Sequence, residues 1–150
     1  MTKIIAVGKI KNQSIKTALA DYHKRLSRFS KVEIKELPDQ PEGKDVGIAI
    51  KKESEAIISA IKVDDFVILL DLDGQTVDSI ALAEQVEKWQ TKNICFVIGG
   101  SNGVDETVRE RADYLWKLSE LTFPHQLVRL LLAEQLYRAY MIINKRSYHK

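Results

Sequence analysis

Hydrophobic and polar positions along the chain follow two periods. Short apolar runs predict five strands, at Lys3–Val7, Val32–Leu37, Phe66–Leu70, Ile94–Ile98 and Tyr114–Leu118. Apolar positions spaced three and four apart predict five helices, over about 13–27, 45–62, 78–91, 104–112 and 124–144. The third and fourth strands are apolar throughout, as in parallel strands covered on both faces. The alternation predicts an α/β fold with a mostly parallel sheet and helices on both faces.

The last predicted helix is apolar on nearly every face. Pro124 suits its first position, because an N–H at that position has no partner within the helix. The apolar positions that follow are Leu127, Val128, Leu130, Leu131, Leu132, Leu136, Tyr137, Tyr140, Met141, Ile142 and Ile143. A helix that is apolar all round is buried all round. Since the sheet covers one face only, the pattern predicts a second subunit and therefore a homodimer.

Length and composition predict one globular domain over residues 1–150. Apolar residues make up 45% of the chain and charged residues 29%, which is typical of a protein with a packed core. The single cysteine, Cys95, excludes an internal disulfide, and together with three histidines it does not supply a structural zinc site. No apolar run approaches the ~20 residues of a membrane-spanning helix, and the apolar core near the N-terminus is too short to predict a signal peptide. We expect a cytoplasmic protein without a metal ion.

Charge is distributed unevenly along the chain. Residues 1–36 carry nine Lys/Arg and three acids, a net +6, and residues 124–150 carry five and one, a net +4. Residues 37–123 carry nine Lys/Arg and seventeen acids, a net charge of −8. Clustered cations favour a polyanion, because its condensed counterions are released on binding. The tail, 145–150, also holds a tyrosine and a histidine that suit phosphates and bases. A solvated helix face with a frayed basic tail explains the same charges.

Three segments that follow predicted strands contain candidate binding groups. In open parallel sheets, ligands bind beyond the carboxyl ends of the strands. The segments are Asp-Leu-Asp-Gly-Gln at 71–75, Gly-Gly-Ser-Asn-Gly at 99–103 and Ser-Glu-Leu-Thr-Phe at 119–123. The glycines allow close approach to a ligand or a tight turn. The third segment offers backbone polar groups beside apolar side chains, which suits a flat heterocycle, although a capped strand-to-helix turn has the same composition. The single glycine after the first strand does not support a dinucleotide-binding fold.

The segment that begins at Asp71 has a second interpretation. It resembles the aspartate nucleophile motif of haloacid-dehalogenase-type phosphatases, in which one aspartate attacks phosphorus and the second is an acid or base. Gln75 departs from that motif, and no paired aspartates follow a later strand to hold magnesium. An EF-hand is excluded because its sixth and twelfth positions hold Thr76 and Leu82. We therefore interpret Asp71 and Asp73 as residues that flank a turn.

Three charged residues and a histidine interrupt the apolar last helix. His125 opens it beside the predicted crevice, where an imidazole either accepts a proton or hydrogen-bonds locally. Arg129 lies one turn further along the same face, and Glu134 and Arg138 form an i,i+4 pair. Charges in so apolar a helix need partners, and a salt bridge at an interface would satisfy them.

Several ordered blocks resemble one known family. They are Ala-Val-Gly-Lys at 6–9, Val-Ile-Gly-Gly-Ser-Asn-Gly at 97–103, Leu-Ser-Glu-Leu-Thr-Phe-Pro-His at 118–125, Arg-Leu-Leu-Leu-Ala-Glu-Gln-Leu-Tyr-Arg-Ala at 129–139, and Tyr-His-Lys at 148–150. With these blocks the whole chain resembles the ribosomal RNA large-subunit methyltransferase H family. Leu121 is a mild departure, since many members have methionine at this position.

This resemblance implies a fold and an activity. Members are SPOUT-class proteins, whose parallel sheet is followed by a C-terminal segment that forms a trefoil knot. This knot is an exception to the rule that protein chains do not thread through their own loops. They act as homodimers and transfer a methyl group from S-adenosylmethionine to N3 of a pseudouridine in large-subunit (23S) ribosomal RNA, within the assembled ribosome. A non-catalytic ribosome-binding module with the same fold is the alternative.

The resemblance also implies site residues. The cofactor-binding residues would be Leu70, Gly99, Gly100, Leu118, Ser119, Glu120, Leu121, Thr122 and Phe123. The RNA-binding residues would be Arg129, Tyr148, His149 and Lys150. Methylation of N3 requires removal of its proton by a base or by a prepared water, and His125 and Glu134 are the candidate acceptors. The sulfonium methyl group is already electrophilic, so no metal ion is expected.

Overall fold

The computed structural model describes residues 1–41, 43 and 45–150. It contains the predicted alternation of strands and helices. The strands are β1 (Thr2–Val7), β2 (Val32–Leu37), β3 (Asp65–Gln75), β4 (Asn93–Ile98) and β5 (Tyr114–Trp116). The helices are α1 (Gln13–Leu26), α2 (Val46–Ala60), α3 (Ser79–Trp89), α4 (Glu106–Arg111) and α5 (His125–Ile143). The predicted α/β class is confirmed, and the largest difference in bounds is at the end of β3.

The five strands form one sheet in the order β2-β1-β4-β3-β5. All pairings between these strands are parallel. The carboxyl ends of the strands therefore meet at one edge, where the predicted segments converge. Strand β4 is central, between β1 and β3, which explains why it is apolar and fully buried after its first residue.

The core forms two layers, one on each face of the sheet. Alternate residues of β1 point to opposite faces, since side chains of a strand have a period of two. Ile4 and Ala6 pack in the layer that contains α1, α3 and α5. Ile5 and Val7 pack in the thinner layer formed with α2 and α4. Helices on both faces confirm the predicted architecture.

Helix α5 lies between α1 and α3. Leu132, Leu136 and Tyr140 are buried in the layer that these helices form. Leu127 and Leu131 are only half-buried in the single chain. One stripe of α5 is thus covered within the chain, and the homodimer that would cover the rest stays a prediction, as does the trefoil knot.

Candidate functional site

A cavity of about 540 Å³ opens at the carboxyl edge of the sheet. It lies among the ends of β3, β4 and β5 and the first turn of α5. This volume is typical of a small-molecule site. Its apolar lining is Leu70, Leu72, Ile98, Val104, Leu118, Leu121, Phe123, Pro124 and Val128. Ionisable side chains also reach it, namely Asp71, Asp73, Arg109, Lys117 and His125.

The turn after β4 forms one wall of the cavity. Its residue Gly103 has a φ of 82°, a left-handed conformation that glycine adopts without strain, and its N–H donates to the carbonyl of Gly100 at 3.0 Å. At Gly99 a Cβ atom would lie 2.8 Å from Cγ1 of Val104. The glycines therefore fit a tight turn whose backbone faces the cavity.

The segment after Leu70 is a continuation of β3 and not the turn that the sequence predicted. The strand register shifts between Leu70 and Gln75, so the intervening residues bulge toward the cavity before Gln75 pairs with β5. One oxygen of Asp71, Oδ1, accepts the Asp73 N–H at 2.8 Å. The other, Oδ2, accepts from Nε of Arg109 at 2.7 Å. This hydrogen bond is the main cause of the raised pKa of Arg109.

Arg109 is a residue that sequence reasoning missed. It lies in α4, and its guanidinium joins that helix to the bulge of β3 at the cavity. The Asp71 carboxylate in this pair is nearly buried, so it needs a cationic partner. No local pattern marks Arg109, because the contact joins residues 38 positions apart.

The segment 117–124, which connects β5 to α5, supplies the opposite wall. Its first N–H, that of Lys117, donates to the Gln75 carbonyl at 2.9 Å and extends the sheet. The hydroxyl of Ser119 accepts the Leu121 N–H at 3.0 Å. Within the part of the chain that the structure describes, the backbone groups of Leu118 and Phe123 make no hydrogen bond. The polar backbone groups of these two half-buried residues are thus available beside apolar side chains.

His125 lies at the cavity edge where α5 begins. Its Nε2 is 3.6 Å from the position that a Cβ atom on Gly8 would occupy, and Oδ2 of Asp39 is 3.7 Å from the same point. The structure therefore brings the ends of β1 and β2 close to the start of α5. An imidazole placed here can accept a proton from a ligand held beside the cavity.

Most of the predicted cofactor-binding residues line this cavity. Eight of the nine do so, and Glu120 does not. The carboxylate of Glu120 instead pairs with Nζ of Lys117 at 2.7 Å, on the solvent side of the segment.

Apart from His125, the other predicted residues lie away from the cavity lining. Arg129 is only 6% exposed, and its Nη1 donates to Oε2 of Glu36 at 2.6 Å and to the Gly8 carbonyl at 3.4 Å. It therefore links α5 to the ends of β1 and β2 and does not offer its guanidinium to RNA. Glu134, in the middle of α5, contacts Tyr148 of the C-terminal tail.

Metal binding and membrane insertion receive no support from the described residues. Across 1–41, 43 and 45–150, no three His, Cys, Asp or Glu side chains converge as a metal ion requires. Over the same residues, every helix is too short or too polar to cross a bilayer.

Comparison with known proteins identifies the family. A family model described as "Predicted SPOUT methyltransferase" matches residues 1–149. The chain is 43% identical over 154 residues to "Ribosomal RNA large subunit methyltransferase H" of Caldicellulosiruptor saccharolyticus, with 100% of both chains covered. The chain belongs to the SPOUT methyltransferase family. This confirms the family that the sequence blocks resemble.

Two further comparisons are consistent with the family. The protein of the same name from Pseudothermotoga lettingae is 44% identical over 149 residues, covering 98% of this chain and 97% of the relative. Among solved structures, a probable methylase family protein from Haemophilus influenzae aligns with a TM-score of 0.56. That alignment covers 99% of this chain and 70% of the other at 16% identity, so it supports the SPOUT methyltransferase fold alone.

Proposed function

We propose that this protein is a methyltransferase that uses S-adenosylmethionine to methylate N3 of a pseudouridine in large-subunit (23S) ribosomal RNA. The observation that carries the proposal is the cavity at the carboxyl edge of β3, β4 and β5, in a chain of the SPOUT methyltransferase family. The names of its relatives support ribosomal RNA as the substrate. The assembled ribosome, in the cytoplasm, is the proposed setting.

The cavity suits the proposed cofactor in size and in chemistry. Leu70, Leu118 and Phe123 offer apolar surface for a flat heterocycle. The free backbone groups of the segment 117–124 are positioned to hydrogen-bond the edge of such a ring. When bound, S-adenosylmethionine supplies an electrophilic methyl group, so the chain itself must orient the two reactants. Orientation alone is worth about 7–11 kcal/mol in well-placed reactions.

Among the candidate proton acceptors, His125 is the one that lies at the cavity. Glu134 lies nine residues further along α5 and is absent from the lining. A base at N3 of the target must be within hydrogen-bond reach of it while the methyl group is presented. We therefore assign proton removal to His125.

The remaining features of the proposal concern assembly and RNA contact. The half-buried Leu127 and Leu131 of α5 support a homodimer, because a second copy would cover them. Each copy acts as a single SPOUT domain without a metal ion. His149 and Lys150 in the exposed tail are proposed to contact RNA phosphates, together with Tyr148.

The test is transfer of a labelled methyl group from S-adenosylmethionine to ribosomes that lack the modification. We expect label in large-subunit RNA and, after digestion, in N3-methylpseudouridine. Ribosome binding without transfer would instead support the non-catalytic module. Calorimetry tests the cavity separately: Leu118→Ala should weaken S-adenosylmethionine binding about tenfold. Ile80→Ala, on α3 outside the cavity, should leave binding unchanged.

A further inference from the structure

The C-terminal tail leaves α5 in a fixed direction. Lys145 has a φ of 54°, and this left-handed residue reverses the chain. Its N–H donates to the Ile142 carbonyl at 3.0 Å, and the Arg146 N–H donates to the Met141 carbonyl at 2.8 Å. These two bonds form a Schellman motif, which terminates a helix and sets the path of the residues after it.

Tyr148 docks this returning tail on α1 and α5. Its hydroxyl donates to Oε1 of Glu134 at 3.1 Å and therefore accepts from the hydroxyl of Tyr22 at 3.3 Å. Its ring meets the Tyr137 ring edge-on at 4.9 Å between centroids, and the Arg138 guanidinium lies 4.9 Å from its centre. Burial, followed by the hydrogen bonds with Tyr22 and Glu134, raises the pKa of Tyr148, so the hydroxyl remains a donor.

Glu134 is the centre of this arrangement. Besides the Tyr148 hydroxyl, its Oε1 accepts from Nε of Arg138 at 3.1 Å and Nη2 at 2.6 Å. Its Oε2 accepts from Nε2 of Gln135 at 2.8 Å, and the Gln135 Oε1 accepts from the Ser79 hydroxyl of α3 at 2.8 Å. Both carboxylate oxygens are engaged, which explains why Glu134 is a poor candidate for removing a proton from a substrate.

The contacts continue to the exposed cations of the tail. Nη1 of Arg138 donates to Nδ1 of His149 at 3.0 Å, so Glu134 holds Arg138 and Arg138 holds His149. The Arg146 guanidinium lies 5.8 Å from the centre of the Phe29 ring. Arg25 of α1 lies nearby, over the rings of Tyr22 and Tyr137. The basic residues of the tail and of α1 therefore share one surface.

We propose that Glu134 is a positioning residue, which holds the C-terminal tail against α5 so that His149 and Lys150 bind RNA phosphates as a preformed group. This inference rests on the proposed RNA substrate. A tail that is already ordered loses less conformational freedom on binding than a free one. Charge-assisted hydrogen bonds, such as those from Arg138, are about twice as strong as neutral ones, so the docking of the tail depends most on Glu134.

The experiment compares Glu134→Gln with the wild type in two assays. The first measures the rate at which trypsin releases the C-terminal peptide after Arg146, which should rise about tenfold in the variant. The second measures methylation of ribosomes, in which KM should rise about tenfold while kcat stays within about twofold. Tyr148→Phe keeps the ring contacts and loses only the hydroxyl, so it should show smaller changes of the same kind.

Glu84→Gln is the matched control. Glu84 is exposed on α3, precedes a glutamine as Glu134 does, and makes no hydrogen bond within the described residues, so both assays should match the wild type. Circular dichroism checks that each variant is folded. A loss of kcat in Glu134→Gln with an ordered tail would overturn the proposal, and so would a released tail with unchanged KM. If wild-type protein transfers no methyl group to ribosomal RNA, the proposed function fails instead, and the trypsin assay still decides whether Glu134 orders the tail.

Discussion

Replacement of Gly74 by alanine is the sharpest test of how the cavity is built. Gly74 lies in the bulge of β3, where that strand crosses close to the short edge strand β5. An added Cβ atom would lie 2.7 Å from three backbone atoms: the carbonyl carbons of Leu115 and Trp116 and the amide nitrogen of Lys117. Because these atoms belong to backbone, no side-chain rotation relieves the clash.

The expected cost follows from these distances. Carbon atoms in favourable contact are about 3.5–4.0 Å apart, so β5 and the bulge must separate by about 1 Å. Overpacking of this kind costs about 1–3 kcal/mol. The separation also strains the hydrogen bond from the Lys117 N–H to the Gln75 carbonyl, now 2.9 Å, which is worth about 1 kcal/mol. We expect Gly74→Ala to lower the free energy of unfolding by about 3 kcal/mol.

Urea unfolding followed by tryptophan fluorescence measures this change. Gly47→Ala, in the exposed first turn of α2, is the control, since its added Cβ would meet no backbone atom and only Oδ1 of Asp45, the N-cap carboxylate, at 3.2 Å. The small shift of that oxygen opposes the better helix propensity of alanine, so stability should change by less than about 1 kcal/mol. Gly74→Ala should also weaken cofactor binding, because the segment 117–124 follows directly from β5. A Gly74→Ala protein as stable as the control would refute the close approach of β3 and β5.

Three further predictions concern single side chains. Burial raises the pKa of the Cys95 thiol to about 12, so a thiol-specific disulfide reagent at about pH 8 should react with it only after unfolding. Burial, and then the charge of Arg129, lower the pKa of His23 from 6.5, so the unfolded chain binds more protons at this site. Stability should therefore fall as the pH drops below 6.5, and less steeply in His23→Gln, as urea titrations at several pH values would show. Asp71→Asn should lower stability by only about 1 kcal/mol in the same assay, because its Arg109 partner is 36% exposed.

The fold was predictable because the informative patterns are local. A fully buried parallel strand needs apolar residues on both faces, and the short run at β4 has this composition. The end of β3 was not predictable in the same way. Asp71, Asp73 and Gly74 are typical turn residues, but pairing with β5 some 40 positions later keeps this segment in the sheet. A long-range contact here overrides the local preference.

The cavity was predictable as far as topology decides it. Parallel strands bring their carboxyl ends together, so segments distant in sequence line one crevice. The partners of individual side chains could not be predicted in this way, because they depend on the three-dimensional structure and not on spacing in the sequence. Arg129 was expected at an RNA surface but is paired with Glu36, which reaches it from the end of β2. Glu134 was expected as a candidate proton acceptor. Its contacts with the returning tail could not be predicted from spacing, because they depend on the chain reversal at Lys145.

The fold brings the two basic segments of the sequence together. The two basic segments, 1–36 and 124–150, lie at opposite ends of the sequence, yet α1 and α5 pack side by side on one face of the sheet. Aromatic rings at this junction carry cations from both ends, as Arg25 on Tyr137 and Arg146 on Phe29 show. The contacts of Tyr148 with Tyr22 and Glu134 favour a docked tail over the frayed tail that would also explain the charges. A polyanion that contacts this junction would release counterions from both segments at once, which neither segment achieves alone.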